Sequence, residues 1–156
     1  MTCAGSTLFL FAIVVVSPPA DLSGWWYVRD DVTGSAHSPF VGLDLGFAVE
    51  LEQEGAWLFG RGEKTCERGR RLPARARTPI ALVGTVDAGR VTARLIEDGR
   101  ARRTAGTFTW TVSPDGERLD GTFTATAGES KGRSVARRMA GRPPACGPED
   151  RLGDHQ

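Results

Sequence analysis

The chain of 156 residues is poor in the side chains from which most enzymes and metal sites are built, with two histidines, three cysteines and one tyrosine. The histidines, His37 and His155, and the cysteines show no metal-ligand spacing, so we expect neither a metal site nor a cofactor. Ser35, His37 and Asp44 would put a nucleophile, a base and a carboxylate in one loop, which rarely gives a catalytic geometry. We therefore expect no enzymatic activity.

An excess of charge of either sign is also lacking. The 20 basic and 19 acidic residues give a formal net charge of +1. A near-neutral chain has no overall attraction for nucleic acid or for an anionic membrane surface, so we expect no nucleic-acid partner.

The apolar run near the N terminus is too short to span a membrane. A transmembrane helix needs about 20 apolar residues, and LFLFAIVVV at 8–16 has nine. That length suits the apolar region of a secretory signal peptide with cleavage after Ala20, so we expect residues 1–20 to be removed on export. A mis-assigned start codon and a buried strand are the alternatives. Export predicts a secreted or periplasmic protein with no transmembrane segment in its mature chain.

Cysteine usage agrees with export. If Cys3 leaves with the signal peptide, the mature chain keeps Cys66 and Cys146, an even pair in an oxidising compartment. A bridge between them would close a loop of about 80 residues and add about 4 kcal/mol by the chain-entropy model. Two unpaired thiols are the alternative. We expect the Pro/Gly-rich tail 141–156 to be irregular, and a bridge would tie it back.

Turn sequences recur at short intervals after Asp21, including EG at 54–55, DAG at 87–89 and SPDG at 113–116. The runs between them are rich in Val, Thr, Phe and Trp, and no window carries a helical apolar stripe of useful length. This pattern predicts an all-β domain over 21–140. Eight strands are expected, at 24–30, 44–53, 56–63, 78–86, 90–97, 101–112, 117–127 and 131–139.

The strands alternate apolar and polar residues with period two, so each has one buried face. Eight sequential strands with mostly short connections form a meander, and closing it removes both exposed edges. We therefore predict an eight-stranded antiparallel up-and-down (meander) β-barrel, wide enough to be filled by side chains or to hold one small ligand. A β-sandwich, the competing architecture, would need long crossovers.

The lengths of the connections orient this barrel. In a meander every second connection lies at the same end, so the tight hairpins close one end as a base. The two long loops, 31–43 and 64–77, share the opposite rim. A barrel with a closed base and two long loops around its mouth can enclose a ligand. Binding residues are often found on loops held by a rigid scaffold.

The stretch SGWW at 23–26 resembles the Gly-x-Trp signature in the first strand of the calycins, the lipocalin and avidin-like barrels, with Gly24 and Trp26 at the matching positions. The resemblance implies a Trp that closes the barrel base and an Arg of the last strand that packs across it. The stretch SVARRM in the last strand offers Arg137 or Arg138 for this role. The sequence pattern does not fix which of the two points inward, and we favour Arg137. The biotin-contacting residues of avidin-type proteins are missing at Val28 and Gly62, so we predict no biotin binding.

The two aromatic neighbours of Trp26 should face outward, because successive side chains of a strand point to opposite faces. We expect Trp25 and Tyr27 to lie under the N-terminal segment or at a subunit interface, which would make the protein a homo-oligomer.

The interior and the rim supply the candidate binding residues. Over 63–77 six basic side chains stand against two acidic ones, so this loop could attract an anionic head group; a solvated loop is the alternative. The rim candidates are His37, Phe40, Arg68, Arg70 and Arg71. The lumen candidates are Phe47, Val49, Leu51, Trp57, Phe59, Leu82, Val91, Leu95, Phe108, Trp110 and Phe123.

An apolar, aromatic lumen predicts an exported barrel that binds a small apolar or amphipathic molecule, with an anionic end near the arginines. The alternative is a protein-interaction or structural barrel, inhibitor-like or an oligomeric envelope component, whose interior is full. A cavity open at the rim would favour the first.

Overall fold

The computed structural model describes residues 20–147, so the predicted signal peptide up to residue 19 and the tail from 148 lie outside the described residues. The strands are β1 Gly24–Gly34, β2 Asp44–Glu54, β3 Trp57–Glu67, β4 Arg70–Arg71, β5 Thr78–Asp87, β6 Arg90–Asp98, β7 Arg103–Val112, β8 Arg118–Ala125 and β9 Ser130–Met139.

The long strands form one closed antiparallel barrel. Each pairs with its neighbours along the chain, β1 pairs with β9, and β2 pairs with β3 to complete the ring. The two-residue β4 pairs only with β3 and makes a small hairpin beside it. The predicted eight-stranded meander barrel is confirmed, and it has the architecture of calycin-like barrels.

The connections divide between the two ends as the turn pattern predicts. Tight turns at 55–56, 88–89 and 113–117 close the base, and the connections at 35–43, 68–77, 99–102 and 126–129 surround the mouth. Within the described residues the only helices are three 3-10 turns, all in mouth connections. Among those residues, no helix has the length and apolarity of a membrane span.

Trp26 closes the base of the barrel. Its side chain is fully buried, and its indole Nε1 donates a hydrogen bond to the Leu22 carbonyl at 2.8 Å. The guanidinium of Arg138 lies over the indole ring, 4.7 Å from its centroid. The preference for Arg137 is wrong: β9 pairs Arg138 directly with the inward Trp26 and Arg137 with the outward Tyr27, and paired residues share a face.

Arg138 also joins three segments of the chain at the base. Its Nη1 donates to the Ser23 carbonyl at 2.8 Å, and its Nη2 donates to the carbonyls of Asp21 at 2.6 Å and Gly116 at 3.2 Å. These groups belong to the segment before β1 and to the turn between β7 and β8. One side chain therefore satisfies carbonyls that the barrel end would otherwise leave without partners.

Replacing this guanidinium should destabilise the base. We expect Arg138→Ala to lower the free energy of unfolding by about 2–4 kcal/mol, because charge-assisted hydrogen bonds and the packing on Trp26 are lost together. The matched control is Arg133→Ala on the same strand, whose side chain is 62% exposed and pairs only with Asp120; it should cost less than about 0.5 kcal/mol. Urea unfolding measures both, and equal losses would contradict this role of Arg138.

The outward neighbour Tyr27 is covered by the chain itself. Only 6% of it is exposed, and a Cβ added to Gly147 or to Gly46 would overlap its ring or its hydroxyl. Cys66 and Cys146 lie at disulfide-bonding distance, with Cα atoms 5.0 Å apart. We call residues 140–147, which follow β9 and reach this bridge, the strap.

The strap lies against the outward aromatics of β1. The Thr65 hydroxyl donates to the Ala145 carbonyl at 2.5 Å, and Arg142 lies 5.8 Å from the centroid of the half-buried Trp25 ring. The strap therefore covers Tyr27, whereas Trp25 stays half-buried, and the expectation of a subunit interface through these aromatics stays a prediction.

The single tyrosine makes the strap measurable. Burial raises the pKa of Tyr27 to about 12, with a smaller rise from Asp44. In Cys66→Ala/Cys146→Ala the strap loses its covalent tie, so we expect this pKa to fall towards 10 and stability to drop by about 4 kcal/mol. An ultraviolet titration of the phenolate reads Tyr27 alone, because the chain has one tyrosine. An unchanged titration would show that the strap stays closed without the bridge.

Candidate ligand-binding cavity

The barrel interior is filled near the base and open near the mouth. A cavity of about 330 Å³ lies beneath the mouth connections, at the small end of the usual range for ligand pockets, about 300–1,000 Å³. Its apolar lining includes Val32, Phe40, Leu43, Leu45, Phe47, Leu95, Phe108, Phe123 and Ala125. Its polar lining includes Asp30, Lys64, Glu67, Thr78, Glu97, Thr104 and Ser130.

Aromatic rings separate the cavity from the packed base. Phe108 stacks on Trp110 with centroids 4.4 Å apart and lies 6.5 Å from Phe123. Trp110 is buried and does not line the cavity. The cavity therefore rests on the rings of two phenylalanines, which form an apolar aromatic floor.

The predicted lumen residues fall into three groups. Phe47, Leu95, Phe108 and Phe123 line the cavity. Five others are buried in the core but do not line it: Val49, Leu51, Leu82, Val91 and Trp110. The prediction is wrong for the remaining two, because Trp57 and Phe59 are 56% and 41% exposed on the outer face.

The phase of β3 explains this error. Gly60 and Gly62 pair with the inward Leu51 and Val49, and with the buried Leu58 they form the inward face of β3 near the base. A Cβ at Gly60 would lie 2.8 Å from a Leu51 methyl carbon, so the interior has no room for a side chain at that position. Trp57 and Phe59 alternate with these residues and therefore point outward.

The rim candidates also separate. Phe40 lines the cavity, and His37 is exposed with its ring edge-on to Phe40, the centroids 4.6 Å apart. Arg68, Arg70 and Arg71 are exposed beside the β3–β4 hairpin and do not line the cavity. The expectation that they meet the polar end of a ligand in the lumen is corrected, because the hairpin carries them to the outer surface.

One basic side chain on the barrel wall does line the cavity, and it is neutralised there. Lys64 Nζ lies 3.0 Å from a Glu97 carboxylate oxygen and 4.0 Å from one of Glu67. The Thr78 hydroxyl donates to Glu97 at 2.8 Å. These groups form a self-satisfied polar cluster on one side of the mouth.

Asp30 is the functional residue that the sequence analysis missed. It is 2% exposed, lines the cavity, and its Oδ1 has no hydrogen-bond partner. Alternation from the inward Trp26 would have found it, because the same face of β1 carries Val28, Asp30 and Val32. It was interpreted instead as the start of a loop, since β1 was expected to end at residue 30.

The surroundings of Asp30 leave its carboxyl incompletely bonded. Ser134 pairs with it across β1 and β9 and forms a side-chain hydrogen bond to it. The Ser134 oxygen already accepts a hydrogen bond from Trp110 Nε1 at 3.0 Å. The indole reaches it over Gly121, which stands between them in the register and has no side chain.

Burial raises the pKa of Asp30 to about 8. The Ser134 hydrogen bond acts in the opposite direction, while the negative charges of Asp31 and Glu97 add to the rise. At neutral pH the carboxyl is therefore mainly protonated. A buried acid that is neutral in water-excluded surroundings is typical of functional sites.

This acid should make stability depend on pH. The folded state keeps the proton up to pH about 8 while the unfolded chain loses it near 3.8, so stability is full below pH 4 and falls as pH rises through that interval. The fall is at most about 1.4 kcal/mol per pH unit. We expect Asp30→Asn to remove this slope, as measured by urea unfolding at pH 5 and pH 7.

The control is Asp31→Asn, whose carboxyl is half exposed and paired with Arg29 at 3.2 Å. It should keep the slope of the natural protein. Parallel pH profiles for the natural protein and Asp30→Asn would show that Asp30 is ionised in the fold.

Comparison with known proteins assigns no family. The chain matches no protein-family model and no curated protein. Among residues 20–147, no three or more His, Cys, Asp or Glu side chains are grouped so that they could hold a metal ion. The cavity and its polar groups therefore carry the functional argument by themselves.

Proposed function

We propose that this protein is an exported, non-enzymatic barrel that binds one small apolar or amphipathic molecule in the cavity beneath its mouth. The observation that carries the proposal is the cavity of about 330 Å³, which lies above a fully packed base. A barrel whose only role was structural would gain stability by filling this space, because interiors otherwise pack to high density.

The shape of the cavity supports a compact ligand. Its lining exposes more apolar than polar surface and its floor is aromatic, as in most small-molecule sites. The mouth is bordered by the connections 35–43 and 99–102, which supply Phe40 and Arg100 to its lining. A ligand would enter between these connections.

The proposal of export and of a calycin-like origin has separate support. The cysteine pair at bonding distance suits an oxidising compartment. Gly24, Trp26 and Arg138 reproduce the base arrangement implied by the calycin resemblance, with the arginine one position later than expected.

A protein-interaction barrel is the second candidate, and one observation favours it. Trp57, Phe59 and Val83 are exposed on the outer wall, and Phe59 and Val83 are direct partners of β3 and β5. Such a stripe suits a protein contact. It is a second surface, besides the half-buried Trp25, through which an oligomer would form.

A cavity-filling variant tests ligand binding. We expect 2-phenylethanol, a neutral aryl probe, to give saturable NMR shifts at Phe108 and Phe123, and Ala125→Phe to abolish them by occupying the space. The control Ala81→Phe introduces the same ring at an exposed position on the outer face of β5, and it should leave the shifts unchanged.

Native mass spectrometry of protein from the exported fraction complements this test. A small molecule released on denaturation would identify the natural ligand class, and the intact mass would report signal cleavage. A protein that binds no aryl probe and sediments as a dimer would contradict the carrier function and favour the interaction barrel.

A further inference from the structure

The unpartnered carboxyl of Asp30 gives the cavity a chemical preference. Of the wall residues that line it, this is the acidic group with no basic partner, because Glu67 and Glu97 share Lys64. Burying a polar atom without a partner destabilises the fold. In a cavity open to solvent, a ligand can supply the missing partner.

We propose that the cavity selects a small organic cation, an alkyl- or arylalkyl-ammonium, whose ammonium group binds the Asp30 carboxylate while its apolar body lies on Phe108 and Phe123. The inference rests on the proposed binding function and names the class of ligand. It replaces the anionic ligand suggested by the arginine-rich loop, whose Arg68, Arg70 and Arg71 lie outside the cavity.

The charges next to Asp30 favour a cation over an anion, and the two arginines that line the cavity, Arg100 and Arg102, are exposed in the 99–102 connection at its mouth. Asp31, next in the chain, and Glu97 both act on Asp30 as negative charges. The facing side chains on the paired strands are the apolar Leu45 and the neutral Ser134. Lys64 is held by Glu97 at 3.0 Å. An anionic group beside the protonated Asp30 would be repelled by Asp31 and Glu97, whereas an ammonium would bind Asp30 Oδ1, which has no hydrogen-bond partner.

The rest of the cavity suits the body of such a ligand. An aromatic floor binds a ring by stacking and attracts a cation through its face. The volume of about 330 Å³ limits the body to a compact group. The small size and the single deep carboxyl together exclude long-chain lipids as the preferred class.

Binding must also move a proton. The Asp30 carboxyl is protonated in the empty cavity at neutral pH, so an incoming ammonium forms the carboxylate–ammonium pair and the carboxyl proton passes to solvent. The balance is one carboxylic acid and one ammonium giving one ion pair and one released proton. Affinity should therefore rise with pH up to about 8, the value to which burial raises the pKa of Asp30.

The test compares three probes of nearly equal shape: phenethylammonium, 2-phenylethanol and phenylacetate. We expect the ammonium to bind the natural protein about 10- to 100-fold more tightly than the alcohol, as a charge-assisted hydrogen bond would give. The phenylacetate should bind more weakly than the alcohol. Asp30→Asn should remove the advantage of the ammonium and leave the alcohol within about threefold. The control Asp31→Asn should retain the preference.

A second measurement uses the natural protein alone and does not depend on the folding of a variant. Titration calorimetry at pH 6.5 in two buffers of different ionisation enthalpy should show close to one proton released per ammonium bound. No release, or equal binding of the three probes, would overturn the cation preference and leave the carrier function standing. Failure of all three probes to bind would overturn both.

Discussion

The contact between Arg138 and Trp26 holds the base on which the rest of the molecule depends. The guanidinium lies on the indole and bonds carbonyls from the segment before β1 and the turn between β7 and β8. With the base closed and filled, the free volume of the interior is confined to the mouth half. The cavity has a floor because Trp26 and the ring of Trp110 occupy the space below it.

The architecture could be predicted from the sequence because turn dipeptides and two-residue periodicity are local signals. The orientation of the barrel followed from loop lengths alone. Which side chains of β3 point into the barrel was harder to predict. The large aromatics Trp57 and Phe59 suggested an inward face, whereas the inward Gly60 and Gly62 have no side chain that would indicate their direction. Asp30 was missed for a related reason, since a polar residue at a strand end looks like a loop. Alternation from Trp26 predicts that Asp30 points inward, but only the register shows that Ser134 is its neighbour.

The proposed cation preference would place stability and selectivity on the same wall of the barrel. Trp110, Gly121, Ser134 and Asp30 follow one another across adjacent strands. The Trp110 indole donates a hydrogen bond to the Ser134 hydroxyl oxygen, and at the end of the row Asp30 Oδ1 has no hydrogen-bond partner. An apolar residue at position 30 would give a more stable barrel. A carboxyl there lowers stability, as residues kept for binding commonly do.

The strap has a consequence for how the barrel opens. The seam between β1 and β9 is the place where the first and last strands of the meander meet, and the strap leaves β9, crosses β1 over Tyr27 and is fixed on β3. It therefore bridges the seam from outside, and its bridge joins parts of the chain that meet only after the ring has closed. A bridge across the seam where the barrel must open should act mainly by lowering the rate of unfolding.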